Sequence, residues 1–99
     1  MKISKSINDS VLNISIEGRL DTITAPELES EISGVFDGIS QVNLDFAALE
    51  YISSAGLRIV LGMQKQMNKQ GGAMTVRNVN EEIMEIFDVT GFSDILTIE

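Results

Sequence analysis

Two adjacent hydroxyls, Ser53 and Ser54, stand in the run Y-I-S-S-A-G-L-R-I-V-L at 51–61, between a strand-like stretch and a helical one. A serine on a sharp strand-to-helix turn is how many hydrolases present a nucleophile. The hydroxyl attacks only when a neighbouring base takes its proton, and the usual base is histidine. The sequence has neither histidine nor cysteine, which removes Ser–His and Cys–His catalysis and thiolate metal sites together. Lys65 and Lys69 lie three to four helical turns beyond the serines, roughly 15 Å or more at 1.5 Å rise per residue, too far to act as the base. Asp21 and Asp45 are the carboxylates that could converge beside the serines, but nothing in their spacing sets up a matched acid and base. Asp21, Asp45 and Glu50 also lack the dense Asp/Asn/Gly pattern of a calcium loop. The run S-S-A-G-L-R has one glycine and an arginine, where a phosphate-cradling loop has several glycines and a lysine. The expectation is a protein with no catalytic residue, no metal and no cofactor.

Two uses of the serines remain. One of them can cap a helix by accepting a bond from an orphan amide, which contributes on the order of 1 kcal/mol. That leaves Gly56, inside the first turn, without a reason, although glycine there costs roughly 0.5–1 kcal/mol relative to alanine. The small residues Ser53, Ser54, Ala55 and Gly56 leave backbone and hydroxyls open, as close approach by another molecule would require. Arg58, one turn on, can offer two parallel bonds to a partner carboxylate, or be an ordinary solvated charge.

These residues need elements to hold them. Ile3, Lys5 and Ile7, and after N-D-S Leu12, Ile14 and Ile16, alternate with polar residues and predict an N-terminal hairpin. T-A-P-E supplies Thr24 as N-cap with Glu27 three residues on and Pro26 in the first turn. Leu28, Ile32, Val35 and Phe36 then form one stripe of a helix over 25–36, with Gly38 as its stop. Val42, Leu44 and Phe46 predict a central strand; Leu57, Val60, Leu61 and Met67 mark one face of a helix over 55–70, ended by Gly71 and Gly72. Ile59 and Met63 flank that face as core or partner-facing residues. Met74 and Val76 predict a strand, Asn80 caps a third helix that points Ile83, Ile86 and Phe87 inward and stops at Gly91, and 95–98 adds a last strand. The order strand–strand–helix–strand–helix–strand–helix predicts an α/β domain, with a mixed sheet, an antiparallel N-terminal edge and helices mainly on one face.

Composition bounds the partners. The 99 residues suit one domain over 1–99, with an aliphatic core since aromatics are only 5%. Fifteen acidic against seven basic residues give a net charge of −8, which repels phosphate backbones and anionic lipid headgroups, so neither nucleic acid nor membrane is an expected partner. No apolar run is long enough to cross a membrane and the first residues carry no signal-peptide core, so a cytoplasmic protein is expected.

The sequence resembles the STAS family, and within it the single-domain bacterial anti-sigma factor antagonists, also called anti-anti-sigma factors. The resemblance spans nearly the whole chain. It is carried by G-R-L-D at 18–21, N-L-D-F at 43–46, Y-I-S-S-A-G-L at 51–57, the G-G turn before M-T-V, and I-F-D-V-T-G-F near the C-terminus. It implies a STAS fold, no enzymatic activity, and a phosphorylatable hydroxyl at Ser54, with Ser53 as its rival, because Ser53 stands where the family most often has aspartate. It further implies a partner that is both anti-sigma factor and serine kinase, of the histidine-kinase-like ATPase fold. Binding that partner frees a sigma factor, phosphorylation releases it, and a PP2C-type phosphatase restores binding. Asp21 matches an aspartate near the phosphorylated hydroxyl and Asp45 one that ends the central strand. The partner surface so implied comprises Arg19, Asp21, Thr22, Ser53, Ser54, Ala55, Gly56 and Arg58. The alternative is a non-switching STAS scaffold or small-ligand-binding module, of the kind found in stress-sensing or lipid-transport complexes, in which both serines only cap the helix.

Overall fold

The structure, a computed structural model, describes residues 1–99. It contains strands β1 (Lys2–Asn8), β2 (Val11–Leu20), β3 (Gln41–Asp45), β4 (Leu49–Ile52), β5 (Ala73–Arg77) and β6 (Thr97–Ile98), and helices α1 (Ala25–Ile32), α2 (Ser54–Lys69) and α3 (Glu81–Thr90), with a 3-10 turn at Phe92–Asp94. The sheet runs β1-β2-β3-β5-β6, and β4 attaches to β2. β1 and β2 form the antiparallel hairpin; every other pairing is parallel. β3 is central, as its alternating Val42 and Leu44 predict.

Alternation along the strands decides which face is covered. Leu12, Ile14, Ile16, Val42, Leu44, Met74 and Val76 are buried, and they join Leu28 and Ile32 of α1, Leu57, Val60, Met63 and Met67 of α2, and Ile83 and Phe87 of α3 in a single core of 22 residues. The three helices therefore lie on one face. On the other face polar side chains bond across strands: Asn43 Nδ2 donates to Asn13 Oδ1 at 3.0 Å, and Gln41 Nε2 to the buried Thr75 Oγ1 at 3.1 Å. Lys5 sits on the helical side of β1, opposite Ile14, and its Nζ reaches Glu31 of α1, 2.8 Å from Oε2 and 2.7 Å from the carbonyl. Phe87 lies between Phe46 and Phe92, with ring centroids 6.4 and 6.3 Å away.

The structure corrects three local expectations. α1 stops at Ile32 instead of Phe36, because Ser33 turns to extended backbone and is followed by left-handed Gly34 (φ 75°); Gly38, also left-handed (φ 77°), falls in the loop beyond. Val35 and Phe36 still pack against the core, from an irregular turn. Thr24 does not cap α1 through its side chain; its hydroxyl turns back to the carbonyl of Arg19 at 2.8 Å and to Asp21. The strand-like run before the serines is a separate strand, β4. It has buried ends and an exposed middle, a pattern without alternation. Asn80 does cap α3: Oδ1 accepts from Ile83 N at 2.8 Å, and Nδ2 donates to the Leu49 carbonyl at 3.0 Å.

Candidate functional site

The site is built where β2 and β4 end side by side. β2 pairs with β3 through residues 11–15 and, after a register irregularity between Gly18 and Arg19, with β4 through Arg19↔Tyr51 and Leu20↔Ile52. The ladder runs one bond further, Ser53 N donating to Leu20 O at 2.9 Å. This bond fixes the start of α2 to the loop at residues 21–24.

The two serines have different surroundings. Ser53 has extended backbone (φ −97°, ψ 176°), and its Oγ accepts from Gly56 N at 3.4 Å, a long N-cap bond. Its carbonyl accepts from Leu57 N at 2.9 Å. Ser54 is the first residue of α2 and is exposed, with its hydroxyl engaged by no group of the chain. The first turn of α2 carries no acidic residue, unlike those of α1 and α3. The positive end of its dipole is thus free to favour an anion attached there.

Gly56 has an internal reason. A Cβ there would lie 2.7 Å from Leu20 Cγ, 2.9 Å from Ile52 Cγ1 and 3.0 Å from the Leu20 carbonyl oxygen. What approaches Gly56 is the chain's own β2–β4 pair, and the residue is buried. The expectation that its smallness serves an outside molecule is corrected: it serves the seating of α2 on the strands.

Asp21 organises the preceding loop. Its Oδ1 accepts from Ile23 N at 3.0 Å, Thr24 N at 3.1 Å and Thr24 Oγ1 at 3.2 Å, and its Oδ2 lies 3.8 Å from Arg19 Nε. The Thr24 amide is the main reason that this carboxyl sits below its usual pKa. The Ile23 amide, the Thr24 hydroxyl and Arg19 add to the effect, and partial desolvation opposes it. No hydrogen bond joins Asp21 to either serine. Arg19 spans the two strand ends, its guanidinium 4.4 Å from the centroid of the Tyr51 ring. Thr22 is exposed and Ala55 half-buried.

Asp45 is not part of this constellation. It pairs with Ser15, six residues before Asp21 and on the order of 15–20 Å away along β2. Its Oδ1 holds Ala47 N and Asn78 Nδ2, both at 2.9 Å. Convergence of Asp21 and Asp45 on the serines, as carboxylate chemistry would require, is ruled out by this separation. Arg58 lies four residues beyond Ser54, exposed, on the wall of a groove between α1 and α2. Two exposed apolar side chains at the site went unnoticed in the sequence: Ile23, 84% exposed in the Asp21–Thr24 loop, and Tyr51, 36% exposed beneath Arg19. An isoleucine among D-T-I-T, off any periodic pattern, was the available signal for the first. Tyr51 becomes legible only when β4 is paired with β2.

Residues 2–99 match the STAS domain. The chain belongs to the STAS domain family. Among its relatives are the anti-sigma-B factor antagonist of Bacillus subtilis, 29% identical over 91 residues (92% of this chain, 84% of the relative), and BtrV of Bordetella bronchiseptica, described as a candidate anti-sigma factor antagonist, 33% identical over 99 residues (99% of this chain, 85% of the relative). Among solved structures, an anti-sigma factor antagonist from Mycobacterium paratuberculosis superposes with a TM-score of 0.86 at 26% identity, covering 98% of this chain and 83% of its own. SpoIIAA of Bacillus in its phosphorylated form shares the fold, with a TM-score of 0.77 at 19% identity, covering 99% of this chain and 91% of its own. This STAS domain has no helix long and apolar enough to cross a membrane.

Proposed function

We propose that the protein is an anti-sigma factor antagonist controlled by phosphorylation of Ser54. Unphosphorylated, it binds an anti-sigma factor that is also a serine kinase of the histidine-kinase-like ATPase fold, and so releases a sigma factor. A PP2C-type phosphatase reverses the modification. The observation that carries the reading is the division of labour between the serines: Ser53 is consumed as the cap of α2, whereas Ser54 is exposed, unengaged and at the helix start. The curated relatives named for antagonism of anti-sigma factors support the partner class.

In this reading Arg19, Thr22, Ser54 and Arg58 present side chains to the partner. Asp21 shapes the loop beside them, and Ser53, Ala55 and Gly56 set the height at which the hydroxyl stands. Transfer would form an ester between Ser54 Oγ and the γ-phosphorus of ATP and break the bond to the β,γ-bridging oxygen. ADP leaves, and the hydroxyl proton goes to a base of the kinase, since the chain has none in bonding distance. The phosphate adds about −1.5 to −2 charge. The free amides of α2 accommodate that charge in the isolated domain, whereas burying it in an interface without a cation costs several kcal/mol, orders of magnitude in affinity.

The test is incubation of the wild type, Ser54→Ala and Ser53→Ala with the kinase and ATP, followed by fragmentation mass spectrometry. Phosphate absent from Ser54→Ala and present in Ser53→Ala is expected. The reverse result moves the site to Ser53. No incorporation in any protein leaves a constitutive STAS scaffold.

A further inference from the structure

The seam between α1 and α2 holds a groove of about 480 Å³. Ile32, Phe36 and Ile59 make it apolar, and Arg58, Gly62 and Gln66 form its α2 wall. Gly62 is the anomaly. It sits in the middle of a 16-residue helix with no positive φ, and a Cβ there would meet nothing within 4 Å. Glycine in a helix interior is unfavourable relative to alanine, and at Gly56 the fold supplies a steric reason for it. At Gly62 it supplies none, and the open space there leaves room for a group from outside the chain.

Position along the helix says where that something lies. Ser54, Arg58, Gly62 and Gln66 recur every four residues, one ridge of α2, so the surface that begins at Ser54 continues into the groove. A dent in such a ridge at a glycine is where a second helix packs closest. Arg58 forms no ion pair within the chain, and exposed Glu29 lies on the opposite wall. An occupant that brings a carboxylate to the α2 side and a cation to the α1 side satisfies both. A second copy is disfavoured by a charge of −8 on each chain.

We infer that the α1–α2 groove is a second part of the anti-sigma factor interface, receiving an amphipathic helix of that partner, and that Gly62 is kept free of a side chain to let this helix approach. The inference rests on the reading of the protein as an anti-sigma factor antagonist. It is tested with unphosphorylated protein, so that Ser54 chemistry does not enter, by titrating wild type, Gly62→Ala and Gly62→Gln onto the immobilised anti-sigma factor of the same organism and melting each variant alone. Gly62→Ala should melt roughly 3–8 °C higher than wild type and bind about tenfold more weakly or worse, with Gly62→Gln weaker still. Raised melting temperature with unchanged affinity overturns the groove as an interface and leaves the antagonist reading standing, because wild type still binds. Absence of wild-type binding removes the antagonist reading and the committed occupant together. A lower melting temperature for Gly62→Ala would give the glycine a role inside the fold and overturn the inference. So would sedimentation showing a wild-type dimer that the substitution dissociates, which would assign the groove to a second copy.

Discussion

Replacing Gly56 by alanine is the sharpest probe of how the serines are held. The new Cβ meets two side-chain carbons at 2.7 and 2.9 Å and the Leu20 carbonyl oxygen at 3.0 Å. Leu20 and Ile52 are both fully buried and paired with each other across β2 and β4, so neither has room to withdraw. The carbonyl is held by Ser53 N at 2.9 Å, so relief by moving α2 outward stretches the bond that seats the helix. Overpacking of this kind costs about 1–3 kcal/mol, against a gain of up to about 1 kcal/mol for alanine over glycine in a helix. With the full helix gain the difference is about 0–2 kcal/mol, and because the Cβ meets a backbone oxygen and two confined side-chain carbons the upper half is expected, a loss of about 1–2 kcal/mol and a melting temperature lower by roughly 5–15 °C in a domain of this size. Urea denaturation followed by circular dichroism, with thermal melts in parallel, measures it. A Gly56→Ala protein as stable as wild type would refute the packing argument and restore the idea that the residue is small for an outside partner.

Asn80→Ala removes both a cap to Ile83 N and a tie to the Leu49 carbonyl and should destabilise the fold by about 1–2 kcal/mol in the same titration. Asp21 holds its proton less tightly in the folded state than in the unfolded chain, so its stabilisation is complete above the ordinary carboxylate pKa and is lost as pH falls through the lower folded value. Asp21→Asn should therefore flatten the acid limb of the pH–stability curve, and an unchanged limb would count against the loop's hydrogen bonds. Arg58→Glu should leave the melting temperature within a degree or two, since the side chain is exposed and unpaired in the chain, while weakening anti-sigma factor binding in a pull-down or titration at low salt. Ser54→Asp should bind that partner more weakly than Ser54→Ala at equal thermal stability; equal affinities would argue that charge at this hydroxyl is not what the interface reads.

Much of the architecture was legible because period and punctuation agree in this sequence. Val42 and Leu44 alternate with polar neighbours, Met74 and Val76 flank Thr75, and Asn80 and Gly91 stand at the two ends of α3 as cap chemistry predicts. The failures occurred where tertiary context overrode a local signal. Thr24, Pro26 and Glu27 spell a capping box, but the Thr24 hydroxyl is drawn to Arg19 O and Asp21 instead. β4 has only four residues and reveals itself through its pairing with β2, which no periodicity records. At the site, the identity of the two serines could be read but their roles could not. The hydroxyl that caps α2 is set by where the chain turns from β4, and that turn is fixed by the Ser53 N to Leu20 O bond across two strands. Gly56 was misjudged for the same reason, its neighbours being more than thirty residues away in the case of Leu20.

The break in β2 at Gly18 (φ 99°) divides the strand between two structural tasks. Before it, β2 is bound to β1 and β3, and its Leu12, Ile14 and Ile16 belong to the core. After it, Arg19 and Leu20 pair with β4; Leu20 still belongs to the core, while the Arg19 carbonyl accepts from the Thr24 hydroxyl and its guanidinium lies by Asp21 and Tyr51. A bent strand of ten residues thereby carries the sheet at one end and the candidate site at the other.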